Sequence, residues 1–303
     1  MKPRFFAIVN PAAGGGRCGE LADETLERVR TLGIDVEVSR STQPGEATTL
    51  AREAHQQGFR NFLAVGGDGT AYEIVNGFFP RGENADRVAL GLLPLGTGNS
   101  FLKDFTSSGV EGTISALRAA KRRFVDVIRL KHATGQLYFI NLLSLGFPAD
   151  VGETVNRRFK RLGEFGYVLG VFARLVGLEH PSFPHCLDGE EKTAEWDRRP
   201  CLFLAFSNTK FTGGKMMIAP QADATDGRIE YVRWGPIGRL GLLWNLPRLF
   251  TGTHIEHPLA SCASAARIDL ALDAPVTVMI DGEIMRLECR SLEVLPGALD
   301  VFV

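Results

Sequence analysis

The sequence predicts two domains: an α/β domain on a parallel, Rossmann-like sheet, followed by an all-β domain of the sandwich type. Across residues 1–125, apolar strand segments alternate with helical segments of about 10–15 residues, which is typical of βαβ units. Across residues 126–303, short strands are frequent and helices are rare. No linker separates the two parts, so we expect them to share a cleft, and the extreme C-terminus is free to return to the first domain.

The elements of the first domain follow from hydrophobic periodicity. Each strand is a short apolar run, and each helix has apolar residues three or four positions apart. The predicted strands are 5–9, 36–38, 62–65 and 88–93. The predicted helices are 19–32, 46–57, 70–79 and 113–121. Because parallel sheets bind ligands at the carboxyl ends of their strands, the loops after these strands are the candidate sites.

The second domain is predicted from short apolar runs at regular spacing, which indicate a β-sandwich. The predicted strands are 124–131, 137–145, 201–207, 228–233, 267–272, 276–280, 284–289 and 292–295. Two helical segments interrupt them, near 153–177 and near 237–250.

Composition and charge limit the partners and the location. The net charge of -1 gives no overall attraction for nucleic acid, so an anion needs a local patch. Five cysteines without a Cys-x-x-Cys pair fit a reducing cytoplasm better than a zinc or disulfide framework. The first apolar segment is too short for a signal peptide, and no run is long enough to span a membrane. We therefore predict a cytoplasmic protein, peripheral to a membrane where it touches one.

Glycine-rich loops follow three of the predicted strands. Their sequences are Asn-Pro-Ala-Ala-Gly-Gly-Gly at 10–16, Gly-Gly-Asp-Gly-Thr at 66–70 and Pro-Leu-Gly-Thr-Gly-Asn-Ser at 94–100. The carboxyl ends of parallel strands meet at one edge of the sheet, and glycine lets backbone N–H groups come close to phosphates. The three loops together predict a polyphosphate cradle, although neither a P-loop nor a Gly-x-Gly-x-x-Gly fingerprint is present.

The turn at 66–70 also has a purely structural interpretation. Thr70 and Glu73 have the spacing of a Thr-x-x-Glu capping box, in which both side chains cap the first turn of their own helix. The two interpretations are compatible, because a capped helix would hold the loop in shape for a phosphate.

These motifs resemble the diacylglycerol kinase catalytic family, which includes bacterial soluble lipid kinases and the sphingosine kinases. The resemblance rests on NPAAGGG, GGDGTAYEIVNG and PLGTGNSF in the first domain, and on LLSLGFPADV, MIAPQADATDG and IDGE in the second. It covers essentially the whole chain, whereas GGDGT alone is shared with the NAD kinases. The family implies an NAD-kinase-like first domain and transfer of a phosphoryl group from ATP to a lipid hydroxyl.

The resemblance implies which residues contact ATP. They are Asn10, Pro11, Ala12, Ala13, Gly14, Thr42, Gly67, Asp68, Gly69, Thr70, Glu73 and Thr97. From the residues alone, the hydroxyl of Thr42 is more simply explained as satisfying its own loop backbone.

Two carboxylates are candidates for accepting the proton of the lipid hydroxyl, a task that phosphoryl transfer assigns to a positioned base. Asp68 lies in the glycine turn, where the resemblance to sphingosine kinases implies the base. Glu283 follows Asp281-Gly282, and the resemblance to bacterial lipid kinases implies that this glutamate is the base. Asp281-Gly282 is also a strong hairpin signal, and a tight turn is a rigid place to mount a base.

The resemblance further implies a structural Mg²⁺ held by Asp223, Asp226 and the carbonyl of Arg228, which are the hard oxygen donors that Mg²⁺ prefers. A plain hairpin turn explains the same residues. Asp126 matches a family position that supports the active site, and its alternative is an ordinary surface aspartate.

One departure from the family leaves the lipid open. Asn99-Ser100 stands where bacterial diacylglycerol kinases have Asn-Asp, so one acid is missing from the site edge, as it is in sphingosine kinases. Asp150 lies in a stretch that resembles the lipid head-group contact of sphingosine kinases, although it is equally explained as a helix cap.

Two segments are candidates for contact with a membrane surface. Residues 157–176 begin with Arg157, Arg158, Lys160 and Arg161 and continue as an apolar helical stripe. Residues 237–250 place leucines and a tryptophan beside two arginines. Amphipathic helices of this kind lie on anionic membranes, but packing against the sandwich core is the commoner explanation.

The predicted function is therefore an ATP- and Mg²⁺-dependent lipid kinase that converts diacylglycerol to phosphatidic acid. The alternatives are a sphingoid-base kinase, a metabolite kinase of the NAD kinase type, and a nucleotide- or lipid-binding protein without catalysis. The predicted partners are ATP, the lipid substrate and, transiently, a membrane surface. A homodimer is left open, and nucleic acid is not expected.

Overall fold

The computed structural model describes residues 4–81, 86–158, 163–188 and 196–303, with side chains described except at 156–158 and 163–168. The chain forms two compact units. The first comprises Met1–Val127 together with Pro296–Val303, and the second comprises Ile128–Leu295.

The first unit is built on a parallel sheet flanked by helices. Its strands are β1 (Arg4–Val9), β2 (Asp35–Arg40), β3 (Asn61–Gly66) and β4 (Ala89–Pro94). Its helices are α1 (Arg17–Arg30), α2 (Glu46–Gln56), α3 (Asp68–Phe78) and α4 (Gly109–Arg118). The strands lie in the order β2–β1–β3–β4 and every neighbouring pair is parallel, which confirms the predicted Rossmann-like sheet.

The core of the first unit lies between the sheet and its helices. Val9 of β1, Leu63 of β3 and Leu93 of β4, which are adjacent strands of the sheet, are fully buried and share one apolar cluster with Leu26 of α1. Helices covering both faces of a parallel sheet require strands that are apolar along their whole length. This is why the strands of the first unit could be recognised as continuous apolar runs.

The second unit is mainly antiparallel. The remaining strands of the chain continue the count as β5 (Arg122–His132), β6 (Gly135–Phe139), β7 (Leu142–Gly146), β8 (His185–Leu187), β9 (Phe203–Ser207), β10 (Phe211–Thr212), β11 (Met216–Met217), β12 (Ile229–Trp234), β13 (Ala260–Ala265), β14 (Arg267–Leu270), β15 (Val276–Ile280), β16 (Glu283–Leu287) and β17 (Cys289–Phe302). Of these, β5 begins and β17 ends among the residues of the first unit. Six of them form an antiparallel sheet in the order β13–β12–β9–β7–β15–β16. The all-β character predicted for this part is confirmed.

The last strand is far longer than its predicted span of 292–295. Asp300 and Val301 of β17 pair in parallel with β4 of the first unit's sheet. Pro296-Gly297 is an ordinary turn signal, so the sequence indicated an end there. In the structure the buried carboxylate of Asp126 accepts the N–H of Gly297 at 2.6 Å, where φ is 53°. Asp126 is thus buried and hydrogen-bonded, so the alternative explanation of an ordinary surface aspartate is wrong.

The predicted strand at 137–145 is two strands, β6 and β7. The chain breaks between them because the carboxylate of Asp281 accepts the N–H groups of Ile140, Asn141 and Leu142 at 3.0, 3.0 and 2.9 Å. A side chain distant in sequence thereby takes backbone donors that a continuous ladder would have used. The segment is apolar apart from Asn141 and Ser144, and a single asparagine was not enough to predict this break.

Each predicted helical segment of the second unit is a pair of helices. The first pair is α5 (Phe147–Arg158) and α6 (Gly163–Val176), and the second is α7 (Arg239–Asn245) and α8 (Arg248–Thr251). The basic side chains proposed at the start of the first segment, Arg157, Arg158, Lys160 and Arg161, lie outside the described side chains. Within the described ranges, no helix has the length and apolar character needed to cross a membrane.

Candidate functional site

The three glycine-rich loops leave neighbouring strands at the carboxyl edge of the first unit's sheet. Asn10 begins the first loop, and its N–H donates to the carbonyl of Val65 at 3.0 Å. In the third loop, the N–H of Gly96 donates to the carbonyl of Gly66 at 2.9 Å. Backbone hydrogen bonds therefore join the third loop to the second, and the first loop to the end of β3, just before the second loop.

The second and third loops touch through two glycines. A Cβ atom built on Gly96 would lie only 2.4 Å from the Cα of Gly67. Any side chain at Gly96 would push the loops apart, because the atom it meets belongs to the backbone. Glycine is required here to pack one loop against the other.

The first loop turns into α1 through left-handed backbone. Gly14, Gly15 and Gly16 have φ angles of 64, 70 and 99°, which L side chains rarely adopt. The side chain of Asn10 accepts the N–H of Ala12 at 3.2 Å and closes the start of the loop. Beyond Gly16 the helix α1 begins, and its first N–H groups and dipole favour a bound anion.

Asp68 connects the second loop to the third. Its carboxylate accepts the N–H groups of Ser100 and Phe101 at 2.9 and 3.3 Å. Burial raises the pKa of Asp68, and the hydrogen bonds from Ser100 and Phe101 oppose that rise. Both carboxylate oxygens hold backbone, so Asp68 organises the loops in this state.

The Asn-Ser departure from the family pattern lies at the same junction. Asn99 has a φ angle of 51°, and its amide nitrogen donates to the carbonyls of Gly96 and Pro94 at 2.9 and 3.3 Å. Ser100 is buried, and its side chain hydrogen-bonds to Asp68. Serine therefore stands beside Asp68 without adding a second negative charge to this buried position.

The capping box expected at Thr70 and Glu73 is absent. Helix α3 begins at Asp68, so Thr70 lies inside its first turn, and its buried hydroxyl has no hydrogen-bond partner among the residues described. Glu73 instead accepts the N–H groups of Gly45 and Ala47 at 2.9 and 3.1 Å. It caps the neighbouring helix α2 and holds the approach to that helix against α3.

Two of the proposed ATP contacts lie on exposed loop positions. The N–H and hydroxyl of Thr42 both donate to the carboxylate of Glu46, at 2.6 and 2.8 Å. Thr97 is exposed in the third loop. The partner of Thr42 is the side chain of Glu46 rather than its own backbone, so the simpler explanation of this hydroxyl is wrong.

In the second unit, Glu283 begins β16 after a two-residue hairpin. Asp281 and Gly282 have φ angles of 48 and 93°, as in the type I′ turn that fits twisted strands. Ile280 pairs with Glu283 across the turn. Asp281 is buried while Glu283 is exposed, so the turn fixes the first side chain and presents the second.

Asp150 lies in the first turn of α5. Its carboxylate forms an ion pair with Arg174 of α6 at 3.0 Å. Burial raises the pKa of Asp150, and the hydrogen bond with Arg174 opposes that rise. An aspartate neutralised in this way is less suited to a cationic head group than to an uncharged one.

The loop proposed to hold Mg²⁺ closes on itself through two aspartates. Asp223 accepts the N–H of Thr225 at 3.0 Å, and Asp226 accepts the N–H of Arg228 at 2.9 Å. No group of three or more His, Cys, Asp or Glu side chains gathers at a metal-binding distance in the described part of the chain. The two carboxylates and a carbonyl are still a hard oxygen set that fits Mg²⁺, with water as the remaining ligands.

Glu230 lies next to this loop and makes stability depend on pH. Burial, reinforced by the charge of Asp226, raises the pKa of Glu230 to about 7. Unfolded glutamate loses its proton near pH ~4.3, so the folded state binds more protons between these values and stability falls as pH rises. We expect Glu230→Gln to remove this fall, which has an upper limit of roughly 4 kcal/mol.

Urea unfolding of the wild type and Glu230→Gln from pH 5 to pH 8, in metal-free buffer, measures this dependence. The exposed Glu53 on α2 provides the matched control, Glu53→Gln, which should keep the wild-type slope. Parallel pH profiles for the wild type and Glu230→Gln would contradict the assignment.

The chain matches two family models, one for each part. The model described as diacylglycerol kinase catalytic domain matches residues 4–130, and the model described as YegS C-terminal NAD kinase beta sandwich-like domain matches residues 141–303.

Individual relatives agree with these matches. A diacylglycerol kinase from Mycobacterium tuberculosis is 26% identical over 306 residues, which cover 98% of this chain and 94% of that protein. A Chromohalobacter salexigens protein named probable lipid kinase YegS-like is 34% identical over 223 residues, or 71% of this chain and 67% of that one. A crystal structure of a diacylglycerol kinase from Bacillus anthracis has a TM-score of 0.71 at 18% identity, covering 99% of this chain and 96% of that one, so it bears on the fold.

Proposed function

Because this chain belongs to the diacylglycerol kinase family and is a lipid kinase, we propose that it transfers the γ-phosphoryl group of ATP to the hydroxyl of diacylglycerol, forming phosphatidic acid. The hydroxyl oxygen attacks the γ-phosphorus, the bond to the β,γ-bridging oxygen breaks, and ADP leaves. The hydroxyl proton passes to a carboxylate of the enzyme.

The observation that carries this proposal is the interlocking of the three glycine loops at one sheet edge. Gly67 packs on Gly96, Asp68 accepts N–H groups from the backbone after the third loop's glycines, and the N–H of Asn10 donates to the carbonyl of Val65 at the end of β3. Phosphoryl transfer depends on positioned donors, and these contacts fix backbone N–H groups before the nucleotide binds. We assign ATP binding to the first and second loops with Thr42 and Thr97.

Asp68 and Glu283 receive different roles in this proposal. Asp68 already accepts two backbone N–H groups, which suits a residue that shapes the phosphate loops. Glu283 is exposed at a rigid turn, which suits a residue that takes a proton from an incoming substrate. Mg²⁺, when bound, would neutralise phosphate charge, and the oxygen donors at Asp223, Asp226 and the Arg228 carbonyl suit a second, structural ion.

Diacylglycerol is preferred over a sphingoid base because of Asp150. A sphingoid base carries a cationic amine, and Arg174 already occupies the carboxylate that the resemblance assigns to the head group. An uncharged glyceride does not need to displace that arginine.

Radiolabelled ATP offered with diacylglycerol, sphingosine and NAD tests the proposal, each with and without Mg²⁺. We expect labelled phosphatidic acid only with diacylglycerol and Mg²⁺, and loss of product in Asp68→Asn. Because Asp68 also holds the loops, thermal unfolding of that variant is measured in parallel. Label in NAD alone, or nucleotide binding without turnover on every acceptor, would overturn the proposal.

A further inference from the structure

Two helices of the second unit leave large apolar side chains on their outward faces. Phe172 and Val176 on α6 are 53% and 78% exposed, and Leu240 and Trp244 on α7 are 83% and 85% exposed. Leu243, next to them on α7, is 36% exposed. We call these five residues the α6–α7 patch. Single exposed apolar residues are ordinary, but a cluster of this size marks an interaction surface.

The two helices are fixed relative to each other, so the patch is one surface. The guanidinium of Arg239, at the start of α7, donates to the carbonyls of Leu175 and Val176 at the end of α6, at 2.9 and 2.8 Å. His180 Nε2 lies 2.9 Å from the carbonyl oxygen of Ile237. These contacts join the last turn of one helix to the first turn of the other.

The outward apolar residues are exposed although both helices are well packed on their inner faces. The inward residues of the same helices, Val171 and Leu175 on α6 and Leu242 on α7, are buried in one cluster with Trp234 of β12. Each helix thus has an apolar inner face that packs and an apolar outer face that does not. Exposed leucine, phenylalanine and tryptophan side chains on an outer face lower the solubility of a protein unless a partner covers them.

We propose that this patch docks on a lipid bilayer that carries anionic head groups. The inference rests on the proposed function, since diacylglycerol resides in the bilayer and its product is anionic. Trp244 combines an apolar ring with a polar N–H, the property that concentrates tryptophan at the head-group level. Exposed arginines at positions 239 and 248 flank the tryptophan and supply charge opposite to that of the lipid, on a chain whose net charge is only -1.

The full chain and its variants are tested by co-sedimentation with phosphatidylcholine vesicles, with and without phosphatidylglycerol. We expect the double variant Leu240→Ser/Trp244→Ser to bind at least about tenfold more weakly, because binding scales with the apolar area inserted. Arg248→Gln should bind the anionic vesicles roughly fivefold more weakly and should bind the neutral vesicles almost as the wild type does. Phe124→Ser, which removes an aromatic ring of 61% exposure in the first unit, is the matched control and should bind like the wild type.

Trp244 also reports its own position. Its fluorescence should shift to shorter wavelength on the vesicles and be quenched by brominated lipid, whereas the fully buried Trp234 should be unaffected. Unchanged vesicle binding by the double variant would overturn the inference. So would a change from dimer to monomer in that variant with vesicle binding intact, since the patch would then cover a second copy.

Activity separates this inference from the proposed function. The double variant should lose turnover on diacylglycerol in vesicles and keep it on a short-chain, water-soluble diacylglycerol. Loss on both substrates, with normal thermal unfolding, would place the patch in the catalytic machinery and overturn docking. If the wild type phosphorylates no lipid yet binds vesicles through the patch, the proposed function fails and the docking surface stands.

Discussion

Glu283→Gln is expected to lower kcat on diacylglycerol by about 10²–10⁴-fold, the range that a positioned general base contributes. Glutamine keeps the size and the hydrogen-bonding reach of glutamate but does not accept the hydroxyl proton. The KM for ATP should change little, because the nucleotide is assigned to the loops of the first unit. The exposed position of Glu283 at the start of β16 means that the fold should tolerate the change.

Steady-state kinetics over pH 5–9 provides the measurement, with thermal unfolding to verify the fold. Glu256→Gln removes the charge of another exposed glutamate of the second unit and should retain wild-type kcat. If Glu283→Gln has full activity while Asp68→Asn has none, the base is Asp68 and the roles assigned to the two carboxylates are reversed. A raised KM for diacylglycerol with an unchanged kcat would instead indicate that Glu283 binds substrate.

The position of the glycine loops could be predicted from sequence because it depends on short-range patterns. Each loop follows an apolar run, and parallel pairing then brings the loops to one edge. The contacts inside that edge could not be predicted. Ser100 and Phe101 lie more than thirty positions from Asp68. Their meeting depends on β3 and β4 being neighbours in the sheet, which no local pattern states.

Glu73 illustrates how a correct local motif can give the wrong partner. Its spacing from Thr70 matched a capping box, yet α3 starts two residues before Thr70 and moves that residue out of the cap position. The carboxylate then satisfies the unpaired N–H groups at the start of α2, which is packed alongside. The existence of both helices was predictable, but the start of α3 and the choice of helix that Glu73 caps were set by tertiary packing.

Helices α6 and α7 show the opposite case. The sequence favoured core packing for the apolar stripe at 237–250, and Leu249 of that stripe is indeed buried, together with Leu242, which the stripe did not include. Leu240 and Trp244 belong to the same short segment but are exposed. A periodic pattern counts apolar residues without showing which of two apolar faces meets the core, so only the structure separates them.

Asp281→Ala is expected to destabilise the protein by roughly 3–6 kcal/mol, the largest stability effect we predict. The carboxylate of Asp281 accepts the N–H groups of Ile140, Asn141 and Leu142, and its own N–H donates to the carbonyl of Leu142 at 3.0 Å. Alanine leaves those three buried donors without this acceptor, and each unsatisfied donor costs about 1–3 kcal/mol. Alanine also tolerates the left-handed backbone at this position poorly.

Urea unfolding measures this loss, and the exposed Asp273 supplies the control, since Asp273→Ala should stay within about 0.5 kcal/mol of the wild type. A change below about 1 kcal/mol in Asp281→Ala would mean that water or a backbone shift replaces the carboxylate.

Asp281→Asn makes the test independent of whether the alanine variant folds. Asparagine adopts the left-handed backbone readily and keeps one acceptor oxygen, which in the structure serves Asn141 and Leu142. Its NH₂ group then faces the N–H of Ile140, and two donors cannot form a hydrogen bond. We therefore expect a smaller loss of unfolding free energy, about 1–3 kcal/mol. Because the same hairpin carries Glu283, Asp281→Asn should lower kcat by more than its modest instability explains. Wild-type kcat in a destabilised Asp281→Asn would show that the buried carboxylate supports the fold without positioning the base.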